Sequence, residues 1–159
     1  MKSSKKIMLT SLIAIILIAG AFLIIWNVPE TTTETTNLTV ELSTDKGSYD
    51  LGEIIKISIT VTNNRDEDVT LEHVDTLSQN FEALNERGEQ VYQWALNESC
   101  LPFPRKMVIP AGETVEILNT TWEQKDNNGE FLPAGNYSII GWLVTTPRIY
   151  SNTIAVQIQ

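Results

Sequence analysis

Ile55, Ile57, Ile59 and Val61 alternate with Lys56, Ser58, Thr60 and Thr62. A strict period of two puts all four aliphatic side chains on one face of an extended strand, a pattern no helix reproduces. Asn63-Asn64-Arg65-Asp66-Glu67-Asp68 closes that run with turn chemistry, and Val69, Leu71 and His73 then alternate with Thr70 and Glu72. Further runs of strand character occupy residues 79–84, 90–95, 106–109, 114–122, 137–144 and 152–158. Glu86-Arg87-Gly88-Glu89, Pro110-Ala111-Gly112 and Asp126-Asn127-Asn128-Gly129 separate them, with Gly free to take positive φ and Pro presetting φ. About seven to nine short strands with a turn every ten residues or so predict an all-β, antiparallel β-sandwich. Ile109-Pro110-Ala111-Gly112 and Leu132-Pro133-Ala134-Gly135 are expected to be one turn device used at two corners.

The helical signal is confined to the other end. Lys2, Lys5 and Lys6 precede residues 7–26, which carry no charged side chain. Twenty residues at about 1.5 Å each give roughly 30 Å of helix, the thickness of a bilayer's hydrocarbon core. Ala19-Gly20-Ala21 has the small residues a signal peptidase accepts, but Phe22-Leu23-Ile24-Ile25-Trp26 stays apolar beyond it. Residues 1–28 are therefore read as an uncleaved signal-anchor or transmembrane helix, with a cleaved signal peptide as the rival. Lysines ahead of the span favour a cytoplasmic N-terminus, a single pass through the plasma membrane and an extracytoplasmic C-terminal domain. Residues 29–38, rich in Thr and Glu, read as an extended linker, and 39–159 as the sandwich domain.

Composition narrows the function. Eleven basic residues, three of them ahead of the apolar run, leave eight against 20 acidic ones behind it, a balance of −12. That sign excludes nucleic acid and anionic lipid headgroups as partners of the domain. His73 is the only histidine and shares a strand face with Val69 and Leu71, the place of a packed sheet residue. No nucleophile elbow, phosphate loop or His or Cys pair at metal-ligand spacing is present, so neither catalysis nor a cofactor is expected. Asp126-Asn127-Asn128-Gly129 lacks the alternating oxygens of a calcium loop and reads as a turn. Cys100 is the only cysteine, so no disulfide can form within the chain.

Asn37, Asn97, Asn119 and Asn136 each begin an Asn-X-Ser/Thr sequon, a possible glycosylation site on an exported domain. The parity of Asn119 with Val115 and Ile117 points it inward. The most distinctive segment without strand character is the run Leu101, Pro102, Phe103, Pro104 and Arg105. Two prolines stiffen it, and a stiff loop loses little entropy on entering a partner's cleft. The plainer reading is a crossover whose Leu101 and Phe103 plug the end of the sandwich. Trp94, Trp122 and Trp142 fall in or beside strands, where at least two of them are expected to pack the core.

Three stretches, taken in order, carry a resemblance. They are Ile59-Thr60-Val61-Thr62-Asn63-Asn64 with Asp66-Glu67-Asp68-Val69-Thr70-Leu71; the run from Gln79-Asn80-Phe81 through Gly88 to Tyr92-Gln93-Trp94; and Ile109-Pro110-Ala111-Gly112-Glu113 followed by Asn119-Thr120-Thr121-Trp122 and Leu132-Pro133-Ala134-Gly135-Asn136-Tyr137. Together they resemble the BsuPI domain, a family named for an intracellular proteinase inhibitor, over residues 51–144. The resemblance implies an immunoglobulin-like sandwich and inhibition of serine proteases. The reading drawn from the sequence is a non-catalytic, membrane-anchored protein-binding domain. Its partner is a serine protease, met by loop occlusion. The alternative is an accessory, adhesion-type domain that contacts other proteins of the cell envelope.

Overall fold

The computed structural model describes residues 37–73, 77–99 and 101–159. The apolar segment 1–28, the linker as far as residue 36, and Cys100 lie outside the described residues. Among the described residues, no helix is long and apolar enough to cross a membrane.

The described residues form strands β1 (Leu38–Thr44), β2 (Ser48–Tyr49), β3 (Ile55–Asn63), β4 (Val69–His73), β5 (Gln79–Leu84), β6 (Gln90–Gln93), β7 (Arg105–Ile109), β8 (Thr114–Trp122), β9 (Gly135–Leu143) and β10 (Ile149–Ile158), with a 3-10 turn over Trp94–Asn97. One open sheet has the order β1-β3-β8, a second β2-β10-β9-β5-β6, and β4-β7 forms a two-stranded ribbon. All pairs are antiparallel except β2 with β10. β1 lies in one sheet and β2, its continuation, in the other, and this order is that of immunoglobulin-like sandwiches. β1 is absent from the alternating runs read in the sequence, because its Leu38, Val40 and Leu42 emerge directly from Thr-rich chain. Leu38 is buried, so the expected linker boundary falls one residue inside the strand.

The core follows from the period-two pattern. Val40 and Leu42 of β1 and the four alternating aliphatics of β3 face Phe81 and Ala83 of β5, Ile139 and Leu143 of β9, and Val156 and Ile158 of β10. A column of rings crosses between the sheets. Trp94 stacks on Phe81 at 6.4 Å, and Phe81 meets Tyr92 at 5.8 Å. Tyr92 stacks on Trp122 of the opposite sheet at 5.5 Å, and Trp122 meets Tyr137 edge-on at 6.4 Å. Trp142 is also buried but on the outer face of its sheet, under Tyr150 and the Arg148 guanidinium. The Tyr137 hydroxyl donates back to the Pro133 carbonyl at 2.8 Å, a tyrosine corner at the start of β9.

Two sequence expectations change here. Between Ile59 and Thr60 the β3–β8 register slips by one, matching Ile59 to Leu118 and Thr60 to Glu116. The bulge reverses parity beyond Ile117, so Leu118 and Trp122 turn inward and Asn119 is exposed, not inward. The two Pro-Ala-Gly segments also differ. Gly112 takes φ +71° in the β7–β8 turn, as only glycine does freely, whereas Gly135 already belongs to β9 and pairs with Ile158. The shared tripeptide serves a turn at one corner and a tyrosine anchor at the other.

Side-chain amides finish the frame. Asn63, fully buried, donates through Nδ2 to the carbonyls of Glu67 (2.8 Å), Ile109 (3.0 Å) and Pro110 (3.2 Å), tying the end of β3 to the β7–β8 turn. In the bulge of β10, Asn152 accepts from Leu42 N at 2.9 Å and donates to Leu42 O at 3.1 Å, closing the gap between the sheets as a neighbouring peptide group would. Gln124, buried at φ +58°, accepts from Gly52 N and donates to Asp50 O.

Packing is tightest at Gly141, where a Cβ would lie 2.8 Å from Cδ1 of Ile59 and 3.1 Å from Cδ1 of Leu42. Gly141→Ala is expected to destabilise by about 1–3 kcal/mol, read from the denaturant midpoint. Ile59→Val removes the closer methyl, so the double variant should lose less than the sum of the two single changes.

Candidate functional site

The loop joining the 3-10 turn to β7 is held at both ends. Upstream, Trp94 is buried against Phe81, Ala95 N donates to Asn80 Oδ1 at 3.0 Å, and Gln93 is gripped by Asn127. The Asn127 carboxamide accepts from Gln93 N and donates to Gln93 O, both at 2.8 Å, so it stands where the next strand of the sheet would be. Downstream, β7 pairs with β4 from His73↔Arg105 to Val69↔Ile109. Lys106 reaches Glu72 at 2.7 Å across that ribbon, and Ile109 is fully buried. His73 is buried on the face of Val69 and Leu71, as strand parity indicates.

Between these holds, Leu101, Pro102, Phe103, Pro104 and Arg105 are all exposed, Leu101 by 61% and Phe103 by 68%. Neither apolar side chain plugs the sandwich. Neither belongs to the buried cluster that holds Trp94, Phe81 and Tyr92. Phe103 N donates to Leu101 O at 2.7 Å, closing a three-residue turn centred on Pro102.

A cleft of about 440 Å³ lies nearby, lined by Tyr92, Asn97, Trp122, Glu123, Lys125 and Asp126 among others. Its ionisable groups are engaged. Asp126 accepts from Asn128 N at 2.8 Å and Glu130 N at 2.9 Å, and these amides hold its carboxyl below the ordinary aspartate range. Glu123 is held low by Lys125 at 2.7 Å, and burial raises the Tyr92 hydroxyl. Among the described residues, no three His, Cys, Asp or Glu side chains converge on a metal-sized site. The Asp126-Asn127-Asn128-Gly129 segment closes on itself as a turn.

The four sequon asparagines are exposed but do not gather into one site. Asn37 precedes β1, and its carbonyl accepts from Asn64. Asn97 accepts from Asn127 at 3.3 Å, Asn119 donates to Glu116, and Asn136 donates to Glu86 at 2.8 Å. The amides of Asn127, Asn152 and Gln124, which fix the edges and the turn beside the cleft, escape sequence reasoning. An Asn or Gln that serves by hydrogen bonding to distant backbone leaves no mark on a hydrophobic pattern.

A family model described as BsuPI, intracellular proteinase inhibitor, matches residues 42–148. Among curated proteins, none matches the chain. Solved structures similar to it include the CARDB domain of the PF1109 protein of Pyrococcus furiosus in complex with di-metal ions, at 13% identity, 77% of this chain, 87% of that one and a TM-score of 0.43. The sporulation control protein Spo0M of Bacillus subtilis is similar at 11% identity, 77% and 49% coverage and a TM-score of 0.45. A β-glucosidase of Erythrobacter marinus is similar at 11% identity, 77% and 15% coverage and 0.46. The chain thus spans a small part of that enzyme's length, and no substrate, ligand or partner passes to it from proteins this distant.

Asn127→Ala should bare the outer edge of Gln93 and cost about 1–3 kcal/mol, with faster amide exchange at Gln93 as the local readout. Asp126, with its folded pKa lowered, stabilises the fold above the ordinary aspartate pKa of about 3.9, and that contribution is lost as pH falls through the lowered value. An NMR titration should find its midpoint below about 3.9, and a midpoint at or above that value contradicts the geometry of the turn.

Proposed function

The chain belongs to the BsuPI family of intracellular proteinase inhibitors, and on that premise we propose that it inhibits a serine protease by contact, laying the 101–105 loop across the enzyme's cleft. The observation that carries this reading is the position of the loop: it lies inside the matched span and stands out from a frame fixed on both sides, with two apolar side chains in water. Occlusion asks the inhibitor for shape and stiffness, not for reactive groups. A loop already shaped by two prolines and a closed turn gives up little freedom when it binds. The accessory envelope-domain alternative draws on the spacer, the acidity and the four sequons, none of which names a partner.

The proposal includes a location. The uncharged run over 7–26, with Lys2, Lys5 and Lys6 before it, supports a single membrane span with the inhibitor domain outside and the 29–38 stretch as spacer. The matched family is described as intracellular, and an outside location would set this chain apart from that description.

Two measurements test the two parts. The full-length chain in mild detergent should slow at least one serine protease of a broad panel with an inhibition constant at or below about 10 µM. Activity of every enzyme unchanged at that concentration overturns the inhibitor role. Protease added to intact cells should digest residues 37–159; protection until the cells are opened places the domain inside.

A further inference from the structure

Resting on the inhibitor reading, the geometry points to Phe103 as the specificity-determining side chain, and to a target protease whose primary pocket is deep and apolar. Leu101, Phe103 and Arg105 are the non-proline side chains of the loop. Arg105 opens β7, and its backbone is tied into the β4–β7 ribbon opposite His73. Leu101 gives its carbonyl to the turn. Phe103 leaves that turn outward and is the most exposed of the large apolar side chains among the described residues, at 68%.

The main chain around Phe103 offers little to an enzyme. Pro102 and Pro104 have no N–H, and the N–H of Phe103 is already bonded to Leu101 O at 2.7 Å. An enzyme that reads substrates by pairing with their backbone therefore finds few donors here, and recognition falls to the side chain. An aromatic ring is suited to that task, since it brings a large rigid area with few rotatable bonds. A pocket lined by a carboxylate, which selects Lys or Arg, or one too shallow for a ring, would reject it.

The same prolines protect the loop. The bond after Phe103 is a tertiary amide to Pro104, whose ring crowds the leaving nitrogen and lacks the N–H that an ordinary peptide presents. A protease that seats Phe103 thus holds a bond it cleaves poorly, and the complex persists instead of turning over.

The test uses the full-length chain in mild detergent against chymotrypsin (apolar pocket), trypsin (carboxylate pocket) and elastase (small pocket). The chain should inhibit chymotrypsin and spare the other two. Phe103→Ala should weaken that inhibition at least tenfold, Phe103→Arg should move it to trypsin, and Pro104→Ala should let chymotrypsin cut after residue 103, seen by mass spectrometry. The gain of trypsin inhibition cannot be produced by a variant that merely fails to fold, and cleavage confined to the bond after residue 103, with the chain's other aromatic sites intact, marks a folded Pro104→Ala variant. Inhibition of trypsin or elastase in place of chymotrypsin, or undiminished inhibition by Phe103→Ala, overturns the assignment of Phe103 and leaves the inhibitor role standing. Silence towards all three enzymes removes this inference, whereas the inhibitor role falls only if the broad panel is silent as well.

Discussion

The column of rings from Trp94 through Phe81, Tyr92 and Trp122 to Tyr137 joins one sheet to the other, and the rest of the sandwich depends on it. Its members come from β5, from β6 with the 3-10 turn that continues it, and from β8 and β9, so four separated pieces of chain must arrive together to build it. Each aromatic pair adds about 0.5–1.5 kcal/mol beyond the area it buries. Leu101 and Phe103 of the 101–105 loop take no part in this packing and stand in water, and the inhibitor reading starts there.

The residues that carry the family likeness turn out to be the ones that build the frame. Asn63 gathers three carbonyls from two turns, Asn64 donates to Asn37 O and Thr39 Oγ1, and Asp68 accepts from Ala111 N. Pro133 receives the Tyr137 hydroxyl, and Trp122 donates through Nε1 to Lys125 O. A motif made of such residues is inherited with the scaffold and says nothing of which enzyme is met. On the inhibitor reading, specificity would lie in side chains that the scaffold does not need, such as Phe103.

The sandwich was legible wherever burial of one face imposes a period of two: the aliphatics of β3, the short β4 and the aromatic-rich β5 and β9 could be read directly. Two features were not. β1 was hidden because Leu38, Val40 and Leu42 follow Thr and Glu residues whose composition suggests a spacer, and only contact with β3 reveals the strand. The bulge in β8 was hidden because an extra residue in a strand has no compositional sign, and parity counted across it gave Asn119 the wrong face. At the candidate site, the proline-flanked segment was visible in the sequence but the exposure of its ring was not, since an apolar side chain outside a strand has no periodicity that tells inward from outward.

A sandwich secured by stacked rings and carboxamides owes nothing to cystine. Its stability is therefore indifferent to the thiol poise of the compartment in which it folds. One and the same frame can serve in the reducing interior of a cell and beyond the membrane, where oxidants are abundant. For a family whose name places it inside, service on the far side of a membrane would require no rebuilding of the core.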